Sequence, residues 1–130
     1  MSGGQPVFLA IEQVLRVHRE SLDEHGGIDG IRDSGAIESA LTAAQNTWLY
    51  READVFEIAA TYAFHLAESQ AFLDGNKRTA IASALTFLEL NGAYAIPNQG
   101  ELYDAMIAIA ARRMDKAGLA VVLRKQFPKT

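Results

Sequence analysis

The chain has 130 residues, a formal net charge of −4 and a pI of about 5.3, which predicts one domain with a buried core. This acidic balance argues against nucleic-acid binding and membrane binding, because those partners require a broad basic face. The absence of cysteine excludes disulfides, thiolate catalysis and zinc–thiolate sites. No segment has the roughly 20 apolar residues of a membrane span, and the N-terminus lacks a signal-peptide pattern. We therefore expect a soluble cytoplasmic protein.

The spacing of apolar residues is helical along almost the whole chain. A first stripe covers residues 9–22 and predicts a helix that ends before His25-Gly26-Gly27. Residues 26–35, GGIDGIRDSG, hold four glycines and three charges and predict a loop. Asp33 or Ser34 can then N-cap a second helix. The stretch over residues 46–52 is predicted to be a connection.

The second half of the chain predicts four more helices. The third helix covers about Asp54–Ser69 and the fourth about Gly75–Asn91, and apolar residues surround most of each. Two further helices are predicted over about Gln99–Arg113 and Lys116–Lys125, and residues 93–96 are the one short extended candidate. The sequence therefore predicts an all-α fold of about six helices around a buried central helical hairpin. We expect one domain over residues 1–130, with its core in about 8–125.

The turn of that hairpin carries the densest polar cluster of the chain. The first turn of a helix leaves backbone N–H groups unpaired, and the helix dipole adds partial positive charge there. Gly75 lets the backbone approach a ligand closely, and Lys77 and Arg78 add two full charges. These features are typical of a phosphate-binding site. Asp74, beside a bound phosphate, could hold a divalent cation.

A plainer interpretation of the cluster is a capped helix start with solvated cations. Two observations favour an anion site over it. Cations at a helix N-terminus oppose the dipole at a cost of up to about 1 kcal/mol, so a compensating ligand is expected. Phe72, just before the cluster, is a candidate apolar anchor that fixes the loop to the core.

The same stretch resembles the signature of the Fic/Doc family, H-x-F-x-[DE]-[GA]-N-[GK]-R. Here it reads Gln70-Ala71-Phe72-Leu73-Asp74-Gly75-Asn76-Lys77-Arg78. Lysine before the arginine is similar to the Doc (death-on-curing) branch, as is Ile81 where Fic domains carry a second arginine. The neighbouring segments GGIDGIRDSGAIESAL and TAIASALTFLELNG resemble the family as well. The resemblance covers about residues 8–125.

The resemblance implies a fold and a chemistry. Family members move part of a nucleotide onto a protein hydroxyl: AMP in Fic enzymes, and phosphate from ATP in Doc-type toxins. It implies that Asn76, Lys77 and Arg78 contact phosphates, with Gly75 in the same turn, and that Asp74 serves a Mg²⁺ ion. It also implies a target protein with a Ser, Thr or Tyr hydroxyl and a small antitoxin protein as partner.

The chain departs from the family at the catalytic histidine, where Gln70 stands. A glutamine amide cannot act as a general base near neutral pH, although it can orient a hydroxyl or a phosphate oxygen. His65 is expected to be tied to a nearby carbonyl rather than to be catalytic. Glu68 is the nearest carboxylate and is expected to be solvated, as is His25, while the role of His18 is left open.

Three functions are compatible with these residues. The first is a Doc-like toxin that transfers phosphate or AMP with catalysis weakened by Gln70. The second is a Fic-fold module that binds a nucleotide or a partner without chemistry. The third is a structural domain in which the cluster only caps a helix. Lys77 and Arg78 favour the first two over the third. Between those two, Gln70 favours the binding module, and the family resemblance favours the toxin.

Overall fold

The computed structural model describes residues 4–93 and 98–127. These residues form six α-helices: α1 (Ile11–His25), α2 (Ser34–Arg51), α3 (Val55–Ser69), α4 (Asn76–Leu90), α5 (Gln99–Ala110) and α6 (Lys116–Lys125). Ile31 and Phe72 add an isolated antiparallel bridge between two loops. The all-α prediction is confirmed. Within the described ranges, no helix combines the length and the apolar character needed to cross a membrane.

The helices begin where their capping residues predict. The Asp54 carboxylate accepts a hydrogen bond from the Glu57 N–H at 2.9 Å, and the Glu57 carboxylate accepts one from the Asp54 N–H at 2.9 Å. This reciprocal capping box starts α3. Asp33 starts α2 by accepting from the Ala36 N–H at 3.1 Å. Both predicted caps are therefore present.

Helix α3 lies at the centre of the fold and packs against α2, α4, α5 and α6. Its most extensive interface is with α4, as predicted for the central hairpin. Large side chains on both helices are fully buried, including Tyr62, Leu66 and Phe87. A densely packed interior of this kind holds its atoms in fixed positions. The two helices that flank the turn between α3 and α4 are therefore held in fixed positions by the core.

Three predicted boundaries are wrong. Helix α1 includes His25 and is capped by Gly26, whose N–H donates to the Leu22 carbonyl. Residues 46–52 are not a connection, because α2 continues to Arg51 and ends only where Glu52 adopts a left-handed conformation with φ of 50°. Continuing the helix lets Trp48 pack edge to face on Phe8, with ring centroids 6.3 Å apart. Helix α5 ends at Ala110 and not near residue 113, because the chain turns there. Three of the four residues of the extended candidate, 94–96, lie outside the described part.

Candidate functional site

The loop between α3 and α4 is fixed to helix α1 by two contacts of the His18 side chain, one with Phe72 and one with Asp74. Phe72 is 1% exposed, and its ring stacks on the His18 ring with centroids 3.8 Å apart. His18 Nε2 lies 2.9 Å from the carbonyl oxygen of Asp74. Because a carbonyl only accepts, His18 Nε2 carries the proton and donates it. The apolar anchor predicted at Phe72 is present, with His18 as its partner.

Side chains within the loop close it on itself. The Asn76 amide oxygen accepts from the Phe72 N–H at 3.0 Å, and its NH₂ group donates to the Phe72 carbonyl at 2.9 Å. Asp74 Oδ1 accepts from the Gly75 N–H at 2.9 Å. Gly75 has φ of 76°, the left-handed region that glycine enters without strain, and as N-cap it offers α4 no side chain.

The glycine-rich loop over residues 26–33 lies directly beside this turn. The Arg32 N–H donates to the Ala71 carbonyl at 2.7 Å, which continues the pairing around the isolated bridge. Gly27 passes so close that a Cβ there would lie 2.9 Å from Asp74 Oδ2. A larger residue would displace the Asp74 carboxylate. The two loops thus form one structural unit.

A cavity of about 430 Å³ opens where this unit meets helix α5. Its size falls within the usual range of small-molecule sites. Four cationic side chains and two carboxylates line it, so the lining is positive on a chain that is negative as a whole. The lining residues are Arg32, Ala67, Glu68, Gln70, Leu73, Asp74, Gly75, Asn76, Lys77, Arg78, Tyr103, Met106, Ile109, Ala110 and Arg112.

All six residues predicted for the site line this one cavity. Gln70 ends α3 in a left-handed conformation with φ of 49°, and its Oε1 accepts from Arg32 Nη1 at 3.4 Å. Lys77 is half-buried, whereas Arg78 is exposed and carries its guanidinium 5.6 Å from the centre of the Tyr103 ring. The arrangement brings an amide and several cations to one side of a helix N-terminus.

His65 does not line the cavity. Its Nε2 lies 3.3 Å from Lys116 Nζ, so its partner is an amine and not the carbonyl that was expected. Burial and then the charge of Lys116 lower the pKa of His65, against a smaller opposing effect of Glu68. A neutral imidazole beside an ammonium group accepts its hydrogen bond. His25 is exposed, as expected.

Four contributors to the site were not predicted from the sequence. Arg32, Tyr103 and Arg112 line the cavity from outside the signature, and His18 supports the loop from α1. Arg32 offered the best signal, since a single cation in a glycine-rich loop is exposed and mobile enough to serve a ligand. The others depend on contacts between residues distant in sequence.

The predicted metal site depends on the carboxylate of Asp74. Within residues 4–93 and 98–127, no group of three or more His, Cys, Asp or Glu side chains converges. A Mg²⁺ ion that arrives with nucleotide phosphates requires only one or two carboxylates, because phosphates and water complete its shell. The exposed Asp74 carboxylate retains acceptor capacity beside its two backbone hydrogen bonds and fits that requirement.

Comparison with known proteins links this cavity to a family. The model of the Fic/DOC family matches residues 8–88. The chain is 33% identical over 117 residues to "Protein kinase doc" of Escherichia phage P1, covering 89% of this chain and 92% of that protein. It is 34% identical over 102 residues to "Toxin Doc" of Mycolicibacterium smegmatis, covering 75% of this chain and 78% of that one.

Proposed function

The chain belongs to the Fic/Doc family, and on that basis we propose that it is a Doc-like toxin. In this proposal it transfers phosphate, or alternatively AMP, from ATP to a Ser, Thr or Tyr hydroxyl of a target protein. The replacement of the catalytic histidine by Gln70 weakens the transfer. A small antitoxin protein is the expected partner, by analogy with the toxins to which the chain is similar.

The observation that carries this proposal is the positive lining of the 430 Å³ cavity on an acidic protein. Lys77 and Arg78 belong to the first turn of α4, where backbone N–H groups and the helix dipole also favour an anion. Arg32 and Arg112 add charge from two other elements. A polyphosphate chain would neutralise this concentration of cations, whereas a neutral ligand would leave them to repel one another.

The transfer requires a group that removes the proton of the target hydroxyl, the role of the family's histidine at position 70. For phosphate transfer, the target hydroxyl oxygen bonds to the γ-phosphorus while the bond to the β–γ bridging oxygen breaks and ADP leaves. The hydroxyl proton must pass to a base, and the Glu68 carboxylate that lines the cavity is the candidate acceptor. The Gln70 amide can donate through its NH₂ group and accept through Oε1, which already accepts from Arg32, but an amide is not basic near neutral pH. Gln70 can therefore hold an oxygen in place, but it cannot remove the proton.

Asp74 would hold the Mg²⁺ ion that accompanies ATP. When bound, that ion neutralises charge on the phosphate oxygens during transfer. Asn76 keeps one N–H of its amide for a phosphate oxygen, since the other donates to the Phe72 carbonyl. Lys77 and Arg78 complete the contacts that the family signature implies.

One observation favours a second function, a nucleotide-binding module without chemistry. Gln70 cannot replace the histidine as a base, and of the two carboxylates that line the cavity Asp74 is assigned to the metal ion, which leaves Glu68, without the basicity of a histidine near neutral pH. A protein of this kind would bind ATP and leave it unchanged.

A transfer assay distinguishes the two functions. The protein is incubated with a cell lysate and either γ-labelled or α-labelled ATP, beside the variant Gln70→His. Label from γ-ATP in a protein band indicates phosphate transfer, and label from α-ATP indicates AMP transfer. A module without chemistry labels no protein in either form, even though calorimetry detects ATP binding. The toxin proposal fails if neither the wild type nor Gln70→His labels any protein.

A further inference from the structure

The backbone carries strain at the cavity. In the described part of the chain, three residues other than glycine have positive φ: Glu52, Gln70 and Arg112. Two of them, Gln70 and Arg112, line the same cavity. Left-handed conformations of non-glycine residues persist where the surroundings impose them, and they concentrate at functional sites. Gln70 stands at the signature's catalytic position, so Arg112 is the residue that still needs an explanation.

Arg112 occupies the position at which helices most often place glycine. The Arg112 N–H donates to the Ile109 carbonyl at 3.0 Å and the Arg113 N–H to the Ala108 carbonyl at 2.7 Å. This pair of hydrogen bonds is the Schellman motif that ends α5, with Arg112 at its left-handed residue, where φ is 62°. Glycine would satisfy the same turn without a Cβ. The helix dipole favours a cation at this end of α5, but Arg113 already supplies one, and the left-handed position itself favours glycine.

The charge of Arg112 is also uncompensated. Arg32, Lys77, Arg78 and Arg112 all line the cavity, and among the described residues none has a carboxylate oxygen within 4.0 Å. The signature supplies two of these cations. The other two come from the loop over residues 26–33 and from the end of α5.

We propose that Arg112 is a substrate-binding residue that contacts the phosphate groups of the nucleotide. This inference rests on the proposed function, because it assigns one more group to the same nucleotide site. Arginine suits this role, since its planar guanidinium can donate two parallel hydrogen bonds to one phosphate. The family model ends at residue 88, so the signature does not extend to this residue. Arg112 lines the cavity just beyond the end of α5, whereas Lys77 and Arg78 line it from the first turn of α4.

Two variants separate the charge of Arg112 from the strain of its backbone. Arg112→Gly removes both the side chain and the Cβ, whereas Arg112→Ala removes the side chain and keeps the Cβ. Arg113→Ala is the matched control, because Arg113 follows directly in the chain and does not line this cavity. For each protein, titration calorimetry measures the affinity for ATP with magnesium and for adenosine. Thermal unfolding measures the melting temperature.

The proposal expects ATP affinity to fall at least about tenfold in both Arg112 variants, the scale of a lost charge-assisted hydrogen bond. Affinity for adenosine, which has no phosphate, should change less than about threefold. Arg112→Gly should melt about 2–4 °C above Arg112→Ala, because glycine relieves the left-handed conformation. Arg113→Ala should bind ATP as the wild type does. If Arg112 were only structural, the more stable variant Arg112→Gly would keep the ATP affinity of the wild type.

Several results would overturn the inference. Unchanged ATP affinity in both Arg112 variants, or an equal loss in Arg113→Ala, would remove Arg112 from the site. An equal loss for adenosine would show that Arg112 does not act on the phosphates. A melting temperature of Arg112→Gly below that of Arg112→Ala would refute the strain argument. If the wild type bound neither ATP nor adenosine, the proposed function itself would fail.

Discussion

Restoring the catalytic base at position 70 is the most direct experiment on the site. Gln70 lines the cavity with Asp74 and Arg78, so the substitution Gln70→His introduces an imidazole into the cavity proposed to receive the target hydroxyl. General-base catalysis contributes about 10²–10⁴ in rate. We expect transfer to the target hydroxyl to increase at least about 10²-fold. Nucleotide affinity should change little, because the phosphate contacts belong to other residues.

The neighbouring charge sets the pH dependence of that variant. Arg32 Nη1 lies 3.4 Å from Gln70 Oε1, so a protonated imidazole at the same position would face the guanidinium. At about 4 Å in a water-like dielectric, two such charges repel by about 1 kcal/mol. This repulsion lowers the pKa of the introduced histidine below its ordinary value of about 6.5. The histidine is then neutral, and able to accept a proton, at pH 7.

The assay compares the rate of label transfer across pH in Gln70→His and in the double variant Gln70→His with Arg32→Ala. The acid limb of the rate profile should move toward about pH 6.5 when Arg32 is removed. Ser69→His is a matched control, since Ser69 is the preceding residue and does not line the cavity. It should not increase transfer.

Robust transfer by the wild type that Gln70→His fails to improve would refute this reasoning. The base would then be another group. Glu68 would be mutated first, because it lines the cavity and His65 does not. A Ser69→His variant as active as Gln70→His would refute it too, because the effect would not depend on position 70.

Three further predictions concern affinity and stability. Arg78→Ala should weaken ATP binding by about 1.5–3 kcal/mol, and unchanged affinity by calorimetry would count against the site. Tyr62→Phe should lower the free energy of unfolding in urea by about 1–3 kcal/mol, because the buried Leu9 N–H donates to the Tyr62 hydroxyl at 2.9 Å and would lose its acceptor. An unchanged unfolding midpoint would contradict it. The pKa of His65 is lower in the folded protein than its ordinary value of 6.5, so the neutral imidazole is favoured by folding. Its contribution to the free energy of unfolding should therefore be fully present above pH 6.5 and be lost as the pH falls through the folded-state pKa of His65. His65→Gln should flatten that dependence, and equal slopes for both proteins would refute the assignment.

Sequence patterns predicted the helices well because their signals are local. Asp54 and Glu57 lie three residues apart and satisfy each other's backbone N–H groups, so a short stretch determines where α3 begins. The apolar residues around α3 and α4 required burial on several sides, and the two helices are the centre of the fold. Both observations need only the neighbouring sequence.

The end of α2 was not predictable in the same way. Residues 46–52 contain polar side chains but no proline or glycine, so the local pattern was ambiguous. What decides the outcome is the contact of Trp48 with Phe8, a residue 40 positions away. Packing of this kind overrides weak local propensity. The same holds for α5, where Arg112 takes a conformation that composition does not favour.

The part of the site formed by the signature was predictable from the sequence. The parts contributed by distant segments of the chain were not. The signature predicted six residues that line one cavity, but not the loop over residues 26–33 or helix α5 that complete the wall. His18 illustrates the limit: the sequence placed it on an apolar helical stripe, with no indication that its ring would reach the Asp74 carbonyl. That contact joins residues 56 positions apart.

Contacts within the protein, local and long-range, also determine how the site would bind its ligand. The turn between α3 and α4 is held by the Asn76–Phe72 pair, by His18 on the Asp74 carbonyl and by the Asp74 carboxylate on the Gly75 N–H. All of these partners belong to the protein itself, so the loop needs no phosphate to take its shape. Association costs less when the binding groups are already ordered. If the site binds phosphate as proposed, its backbone is already ordered while Arg32, Arg78 and Arg112 are exposed, so the affinity would depend mainly on how many of these cations the ligand contacts.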